Sequence, residues 1–452
     1  MGQTIKLKKG YDIKIKGVPQ DTIVNPSFKS NTFAIKPTDF IGNAPIPKVL
    51  VEAGQEVKAG DPLFYDKGNP DILYVAPVSG EVAEVKRGPK RAIHEVIILA
   101  DKDIKFKEFE KVNPQALSKE QAIEYLCKTG CWPFLRQRPY NVIADPTEAP
   151  KAIFVSGFDS SPLAPDYNYV VKGLGDYLQA GMDLLASLTS GYVHLGLDSN
   201  TNPAGELKAI NRAKITHFDG KHPSGNVGTQ IHHVDPIVKG ERVWTVKLQD
   251  VIAIGRVALD GRYNTERLIA IGGPAVKNPG YVKTYLGANI GSLAKDNLTN
   301  DHVRFISGNC LTGEGLAGES HLGFFHDQLT VLEEGDKYEF FGWLFPNYAR
   351  PSLSRTFTSF LTPNKKYDVN TNTHGEERAF VVTGQYEKVV PMDVYPLQLI
   401  KSIMYGDFNQ MEGLGIYELV EEDVALCEFI CPSKVRFQEI LRDGLEMMRD
   451  QG

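Results

Sequence analysis

No stretch of the 452 residues approaches the roughly 18 consecutive apolar residues that would mark a membrane-spanning helix. Cysteine is scarce: five residues are too few for the disulfide framework of a small secreted domain. There is no basic excess either. Lys and Arg total 50 against 56 Asp and Glu, for a formal net charge of −6. That balance disfavours bulk attraction to nucleic acid or to anionic lipid. The opening MGQTIKLKKGYDIKIKG lacks the apolar core of a secretory signal, so a cytoplasmic, reduced protein is expected. G-x-G-x-x-G after a strand, G-x4-G-K-[ST], G-x-S-x-G and H-E-x-x-H are all missing. No acid–base dyad or activated nucleophile can be assembled from residue order, and no catalytic residue is assigned.

The composition present is that of a folded chain. Hydrophobic residues make up 42% and charged residues 23%, which excludes disorder for the bulk of it. At about 100–200 residues per domain, two to four domains are expected. The 42 glycines and 27 prolines imply many turns and short strands.

Residues 1–17 alternate with period two and read as a strand. From Pro47 to Ile98, short β runs are separated by Gly54, Gly60 and Gly80, the pattern of a small closed sandwich. "VEAGQEVKAGDPLF…APVSGEV" resembles the biotinyl/lipoyl barrel-sandwich module, in which a hairpin lysine carries the cofactor. Lys67 in Asp66-Lys67-Gly68 stands near that position, either as a swinging-arm lysine or as a solvated turn residue. A helix is expected over 113–129 with Ser118 as cap, then a strand at 151–157, a helix at 177–188 and a strand at 191–197. That order makes a βαβ unit with a parallel sheet. A further short helix is expected over Leu207–Ala213. Strands at Arg267–Ile271 and Tyr281–Leu286 fit a small β-grasp unit. Short strands are expected over 330–390, including aromatic-rich 338–343, and helices over Leu397–Asp450. Linkers are expected near 108–116 and 362–376.

Two constellations invite a metal. In KHPSGNVGTQIHHVDP, a long polar loop by its glycines, His222, His232, His233 and Asp235 are candidate ligands, yet adjacent histidines on a strand face opposite ways. Cys427 and Cys431 form C-x3-C-P, the tail of the ferredoxin run C-x2-C-x2-C-x3-C-P. The two missing thiols would fall at Val424 and Glu421, so the set is half an iron–sulfur site. Cys127 and Cys131 repeat the spacing without the proline. No metal site is assigned.

Seven long segments carry a whole-chain resemblance: "LKKGYDIKIKG", "CWPFLRQRPY", "KAIFVSGFDSSPLAPD", "HPSGNVGTQIHHVDP", "VWTVKLQDVIAIGRV", "ERLIAIGGPAVKNPG" and "RFISGNCLTGE". They resemble the A subunits of the sodium-translocating NADH:quinone oxidoreductases (Na+-NQR). More distantly the chain is similar to the C subunits of Rnf complexes and to the flavin-bearing subunit of respiratory complex I. Those relatives hold FMN in a loop of the type GRGGAGFPTG. Aligned by order, that loop falls on 128–136, where only Gly130 of the glycine cluster remains and Trp132, Pro133 and Phe134 would block a phosphate. The relatives' acidic segment falls on Gly157–Pro162.

The resemblance implies a multidomain α/β and α+β fold. Its parts are a lipoyl-like barrel-sandwich domain (1–110), a Rossmann-like α/β domain (111–258), a small β-grasp, SLBB-like domain (259–330) and a mixed β then helical C-terminal domain (331–452). Leu426, Phe429, Ile430, Val435, Phe437 and Ile440 are expected to pack where the relatives hold an iron–sulfur domain. The resemblance further implies a peripheral protein on the cytoplasmic face of the bacterial inner membrane, within a six-subunit complex that includes membrane subunits. That complex uses flavins, iron centres, NADH and quinone to drive sodium export, while this chain is expected to bind no redox cofactor and no nucleic acid. Any quinone contact is expected at the former flavin loop, through Trp132, Phe134, Arg136 and Arg138, with core filling as the alternative role of Trp132 and Phe134. The competing readings are an autonomous flavin or iron–sulfur oxidoreductase and a lipoyl-like carrier.

Overall fold

The computed structural model describes every residue except 1–2, 27, 29, 43–46, 339, 341–347, 349, 356 and 452. Its first strand, β1 (Gln3–Lys6), takes only part of the alternating N-terminal segment. It pairs in parallel with Thr216–Asp219, far along the chain, and joins no barrel strand. Tyr11–Lys16 forms no strand: Ile13 and Ile15 are buried in the C-terminal core, and a lone bridge from Ile15 to Tyr367 is the only β pairing there among the described residues.

The barrel-sandwich follows. β2 (Thr32–Ile35), β8 (Ile93–Ala100), β7 (Gly80–Arg87) and β4 (Glu56–Val57) make one sheet; β3 (Lys48–Val49), β5 (Pro62–Asp66) and β6 (Asn69–Val75) make the other. Alternate residues such as Leu63, Val82, Val96 and Ile98 fill the space between them. Gly80, at φ +149, closes one corner: a Cβ there would sit 2.0 Å from the Leu99 carbonyl oxygen.

A seven-stranded sheet organises the middle of the chain. α1 (Lys119–Lys128) leads in, started by a capping box in which Ser118 and Gln121 bond each other's backbone N–H groups. Then come β9 (Arg136–Arg138), β10 (Val142–Ile143), β11 (Ala152–Ser156), α2 (Tyr167–Val170), α3 (Gly175–Leu188), β12 (Val193–Asp198), α4 (Gly205–Lys208), β13 (Ala213–Asp219), α5 (Val227–Val234), β14 (Val243–Lys247) and α6 (Leu248–Asp260). The strand order is β1-β13-β12-β11-β14-β9-β10, with β1, β13, β12, β11 and β14 parallel. Both faces of β11 are buried, as a central parallel strand requires: Ile153 and Val155 join the large core, and Phe154 meets Ile231 of α5. The helix expected over Leu207–Ala213 is a single turn, α4. Arg212 adopts a left-handed conformation at φ +61 and β13 begins at the next residue.

β15 (Arg267–Gly272), β16 (Gly280–Thr284), α7 (Ile290–Ala294), β17 (Val303–Ser307), β18 (Glu314–Leu316) and β19 (Gln328–Glu333) build the β-grasp, SLBB part, in sheet order β16-β15-β19-β17-β18. Beyond β19 the short strands expected to 390 do not form among the described residues; the chain there makes turns and single 3-10 turns. Part of the aromatic run at 338–343 lies outside the described residues. α8 (Pro396–Tyr405), α9 (Phe408–Gly413), α10 (Glu421–Ile430) and α11 (Phe437–Gln451) close the molecule. Leu426 and Phe437 are buried in this helical core, and Ile430, Val435 and Ile440 pack against it. Phe429 instead stays 39% exposed, with its ring 6.5 Å from that of Tyr11.

α3 and α6 cross backbone to backbone on one face of the sheet. A Cβ on Gly181 would lie 2.1 Å from the Val251 carbonyl oxygen, and one on Gly255 would lie 1.8 Å from that of Tyr177. Alanine is a better helix former than glycine by about 1 kcal/mol, yet Gly255→Ala is expected to lower stability by about 1–3 kcal/mol through overpacking. Denaturant unfolding of the full chain measures it.

Candidate functional site

The sheet order fixes where a ligand belongs. From β11 the chain runs outward to β12 and β13, then crosses back to β14 on the other side of β11. At such a switch point the loops leaving the two strands part and open a crevice at their C-terminal ends. A cavity of about 500 Å³ lies there. Ser156, Phe158, Asp159 and Ser161 reach it from the end of β11, and Thr245, Val246 and Lys247 from the end of β14. Other parts of the chain complete the wall. Thr38 and Asp39 come from the barrel-sandwich, Gly308, Asn309, Leu311, Thr312 and Gly323–Gln328 from the β-grasp, and Glu421, Glu422 and Arg442 from the last helices.

Two buried arginines hold these parts together. Arg138 of β9 meets Asp423 at 2.8 Å and Glu422 at 2.6 Å, both in the first turn of α10. Gly228 lets α5 lie against this pair; a Cβ there would come within 2.4 Å of Asp423 Oδ1. Arg267 of β15 meets Asp250 of α6 at 3.0 Å and Asp327 at 3.1 Å. Burial pushes the Asp423 and Asp250 carboxyls up, and the charges of Arg138 and Arg267 beside them oppose it. Asp39 accepts the Phe324 N–H at 2.7 Å. Its burial raises it to about 6 against the pull of Lys36.

Of the four residues expected at a quinone contact, one faces the cavity. Trp132 is fully buried, donates Nε1–H to the Ala144 carbonyl at 2.7 Å and meets Trp244 edge-on at 5.4 Å. Phe134 is buried between Tyr263 and Phe324, at 6.1 and 5.3 Å. Arg138 is engaged with Glu422 and Asp423. Arg136 lines the cavity, its guanidinium 4.8 Å from the Phe325 ring. Trp132 and Phe134 therefore fill the core beneath the site, and Gly130 packs against Val75.

The histidines of the polar stretch separate. His222 Nδ1 lies 3.1 Å from Ser160 Oγ, His232 Nδ1 2.7 Å from Glu418, and His233 Nε2 2.7 Å from the Pro391 carbonyl oxygen. The expected loop contains α5, because Val227 and Ile231 pack on Phe154 and Ile237. Among the described residues no group of three or more His, Cys, Asp or Glu side chains is placed to hold a metal. Cys427 and Cys431 are buried; Tyr386 Oη lies 3.1 Å from Cys431 Sγ, and Val424 and Glu421 occupy the other two positions. Lys67 sits exposed with Gly68 in the two-residue turn between β5 and β6. Lys247, His326 and Asp39 were not legible as site residues: Lys247 ends an otherwise apolar strand, and nothing local distinguishes the other two.

Family models match three stretches of the chain: the NqrA N-terminal barrel-sandwich hybrid domain over residues 5–101, the NqrA second alpha/beta domain over 117–263 and the NQRA C-terminal (SLBB) domain over 268–317. The NqrA protein of the Na(+)-translocating NADH-quinone reductase of Hahella chejuensis (strain KCTC 2396) is 38% identical over 451 residues, 99% of this chain and 100% of that protein. The chain belongs to the NqrA family. The family's representative in Yersinia pestis bv. Antiqua (strain Angola) is 37% identical over 457 residues, with the same coverage. An NAD+-reducing [NiFe]-hydrogenase in the air-oxidised state is similar at a TM-score of 0.41 and 12% identity, over 75% of this chain and 62% of that one.

Asp39 gives this NqrA family member a measurable pH signature. With its folded pKa raised from 3.8 to about 6, the native state holds that proton more tightly than the unfolded chain. The contribution to stability is full below about pH 4 and is lost as pH rises to about 6. Asp39→Asn is expected to remove that slope, so that its melting temperature gains on wild type between about pH 4 and pH 7. Thermal unfolding across that range tests it.

Proposed function

We propose that this chain is the peripheral NqrA component of a sodium-pumping NADH:quinone reductase, that it lies on the cytoplasmic face of a bacterial inner membrane, and that it supports quinone reduction without a redox cofactor of its own. The observation that carries the reading is the likeness at 37–38% identity to NqrA proteins over their whole length. No helix among the described residues is long and apolar enough to cross a membrane, in keeping with attachment through protein contacts to the other members of the complex. The C-terminal end of α8 leaves Met404 58% and Tyr405 87% exposed, apolar surface of the kind that a neighbouring protein buries.

The residues present do not fit the cofactors of the distant relatives. Buried Trp132, Pro133 and Phe134 replace glycines whose backbone amides would approach a phosphate. Two thiols, one beside the Tyr386 hydroxyl, do not supply four cluster ligands. Flavin and iron chemistry then belongs to other members of the complex. A quinone headgroup would take the cavity at the β11/β14 switch point, where Phe158, Phe324 and Phe325 give apolar faces and Arg136 a donor. Lys67 at an exposed hairpin tip keeps a carrier role as a second reading.

Iron and flavin analysis of the isolated chain, with its ultraviolet–visible spectrum, tests the cofactor-free reading. No iron, no flavin and only the aromatic absorption of the protein are expected; stoichiometric flavin or an iron–sulfur band overturns it. An intact mass at the sequence value disposes of the carrier. In the assembled complex, Arg136→Gln is expected to raise KM for quinone about tenfold through loss of a charged hydrogen bond, whereas Trp132→Phe changes stability more than KM. An unchanged KM in Arg136→Gln removes the quinone from this cavity.

A further inference from the structure

One wall of the cavity, at Phe324–His326, gathers three donors that the core does not use. The Arg136 guanidinium forms no ion pair and no hydrogen bond with any described residue; its close contact is the Phe325 ring. Burial is the main influence on its pKa and lowers it, with Glu422 pulling the other way. A guanidinium keeps its proton even so, and this half-buried one leaves its N–H groups open to the cavity. Lys247, at the end of β14, donates to the Phe325 carbonyl and has two further N–H bonds to give.

His326 completes the set. Ser307 Oγ accepts the Gly323 N–H at 2.9 Å, so its own proton is free for His326 Nδ1 at 2.8 Å. With the Ser307 proton given to Nδ1, the neutral ring carries its hydrogen on Nε2. Burial, then the charges of Lys247, Lys36 and Arg136, hold the imidazole neutral by lowering it to about 3. The Nε2–H has no acceptor among the described residues, and the ring lines the cavity.

Most carboxylates of this neighbourhood are matched elsewhere; Asp159, which also lines the cavity, accepts the Ser161 N–H at 2.7 Å and has no ion pair among the described residues. Glu422 is held by Arg138, Asp327 and Asp250 by Arg267, and Glu421 by Arg442 at 2.5 Å. Asp39 takes the Phe324 N–H with Lys36 beside it. Two cations and one neutral donor are thus left over around a single three-residue segment, next to the apolar faces of Phe158, Phe324 and Phe325.

We propose that this wall is an oxyanion-binding pole and that the cavity takes a small molecule carrying a carboxylate or a phosphate on a flat apolar body. The carried charge settles between Arg136 and Lys247, and the His326 Nε2–H adds a third hydrogen bond to it. The inference goes beyond the quinone reading and does not rest on it, since a quinone is uncharged.

Three probes of one shape separate the cases: benzoate, phenyl phosphate and uncharged benzamide, each titrated into the full chain and followed by ligand-observed NMR. One or both anions are expected to bind at least about tenfold more tightly than benzamide, the scale of a lost charge-assisted hydrogen bond. Which anion is tighter distinguishes a carboxylate ligand from a phosphate ester. Arg136→Gln is expected to weaken the anions about tenfold and to leave benzamide unchanged. If that variant unfolds, Lys247→Met carries the same expectation. Equal binding of anion and amide, no anion binding, or an anion affinity insensitive to the folded variant overturns the proposal. Loss of the quinone effect in the complex alongside retained benzoate binding would refute the quinone reading alone.

Discussion

Charge buried in the seams between parts of the chain is the constraint from which the rest of the structure follows. Arg138 and Arg267 are each only 2% exposed in their side chains, and each faces two carboxylates contributed by distant segments. An arginine withdrawn from water is tolerable only when its guanidinium fork is met in good geometry. The edge of the α/β sheet and the first turn of α10 therefore have one mutual placement, and so do α6 and the β-grasp. The orientation of the parts is set by these pairings as much as by apolar packing. The cavity exists because those placements leave a gap above the ends of β11 and β14.

The same logic explains the polarity of that gap. Most acids around it already have cationic partners, so the groups remaining open to it, Asp159 apart, are chiefly donors: Arg136, Lys247 and the imidazole of His326. Asp39 stands at the border, poised between ionised and neutral by its burial. A site of this kind prepares its hydrogen bonds in advance and asks little rearrangement of the backbone when a ligand arrives.

How much of this was legible depended on how local its cause was. Ser118 and Gln121 announce α1 by a spacing of three residues, and the βαβ unit shows itself in apolar periodicity. The barrel-sandwich, the Rossmann-like sheet and the SLBB part all appear, as does the helical C-terminus. Nonlocal causes stayed hidden. Nothing near Arg138 says that Glu422 and Asp423, separated from it by 284 and 285 positions, will bury it. Trp132 and Phe134 read as ligand faces or as core with equal ease, and only Trp244, Tyr263 and Phe324 around them decide for core. α5 looks like loop in the sequence because its glycine and two histidines mask a single apolar stripe, and Gly228 is small for the sake of Asp423 rather than for a turn.

The placement of β1 has a consequence for biosynthesis. Lys6 pairs with Asp219, so the edge of the sheet is completed by two segments whose synthesis is separated by roughly two hundred residues. At about 5–20 residues per second that interval is roughly 10–40 s. The barrel-sandwich, encoded entirely between the two, has time to fold first and tether the waiting strand, which stays unpaired until β13 emerges.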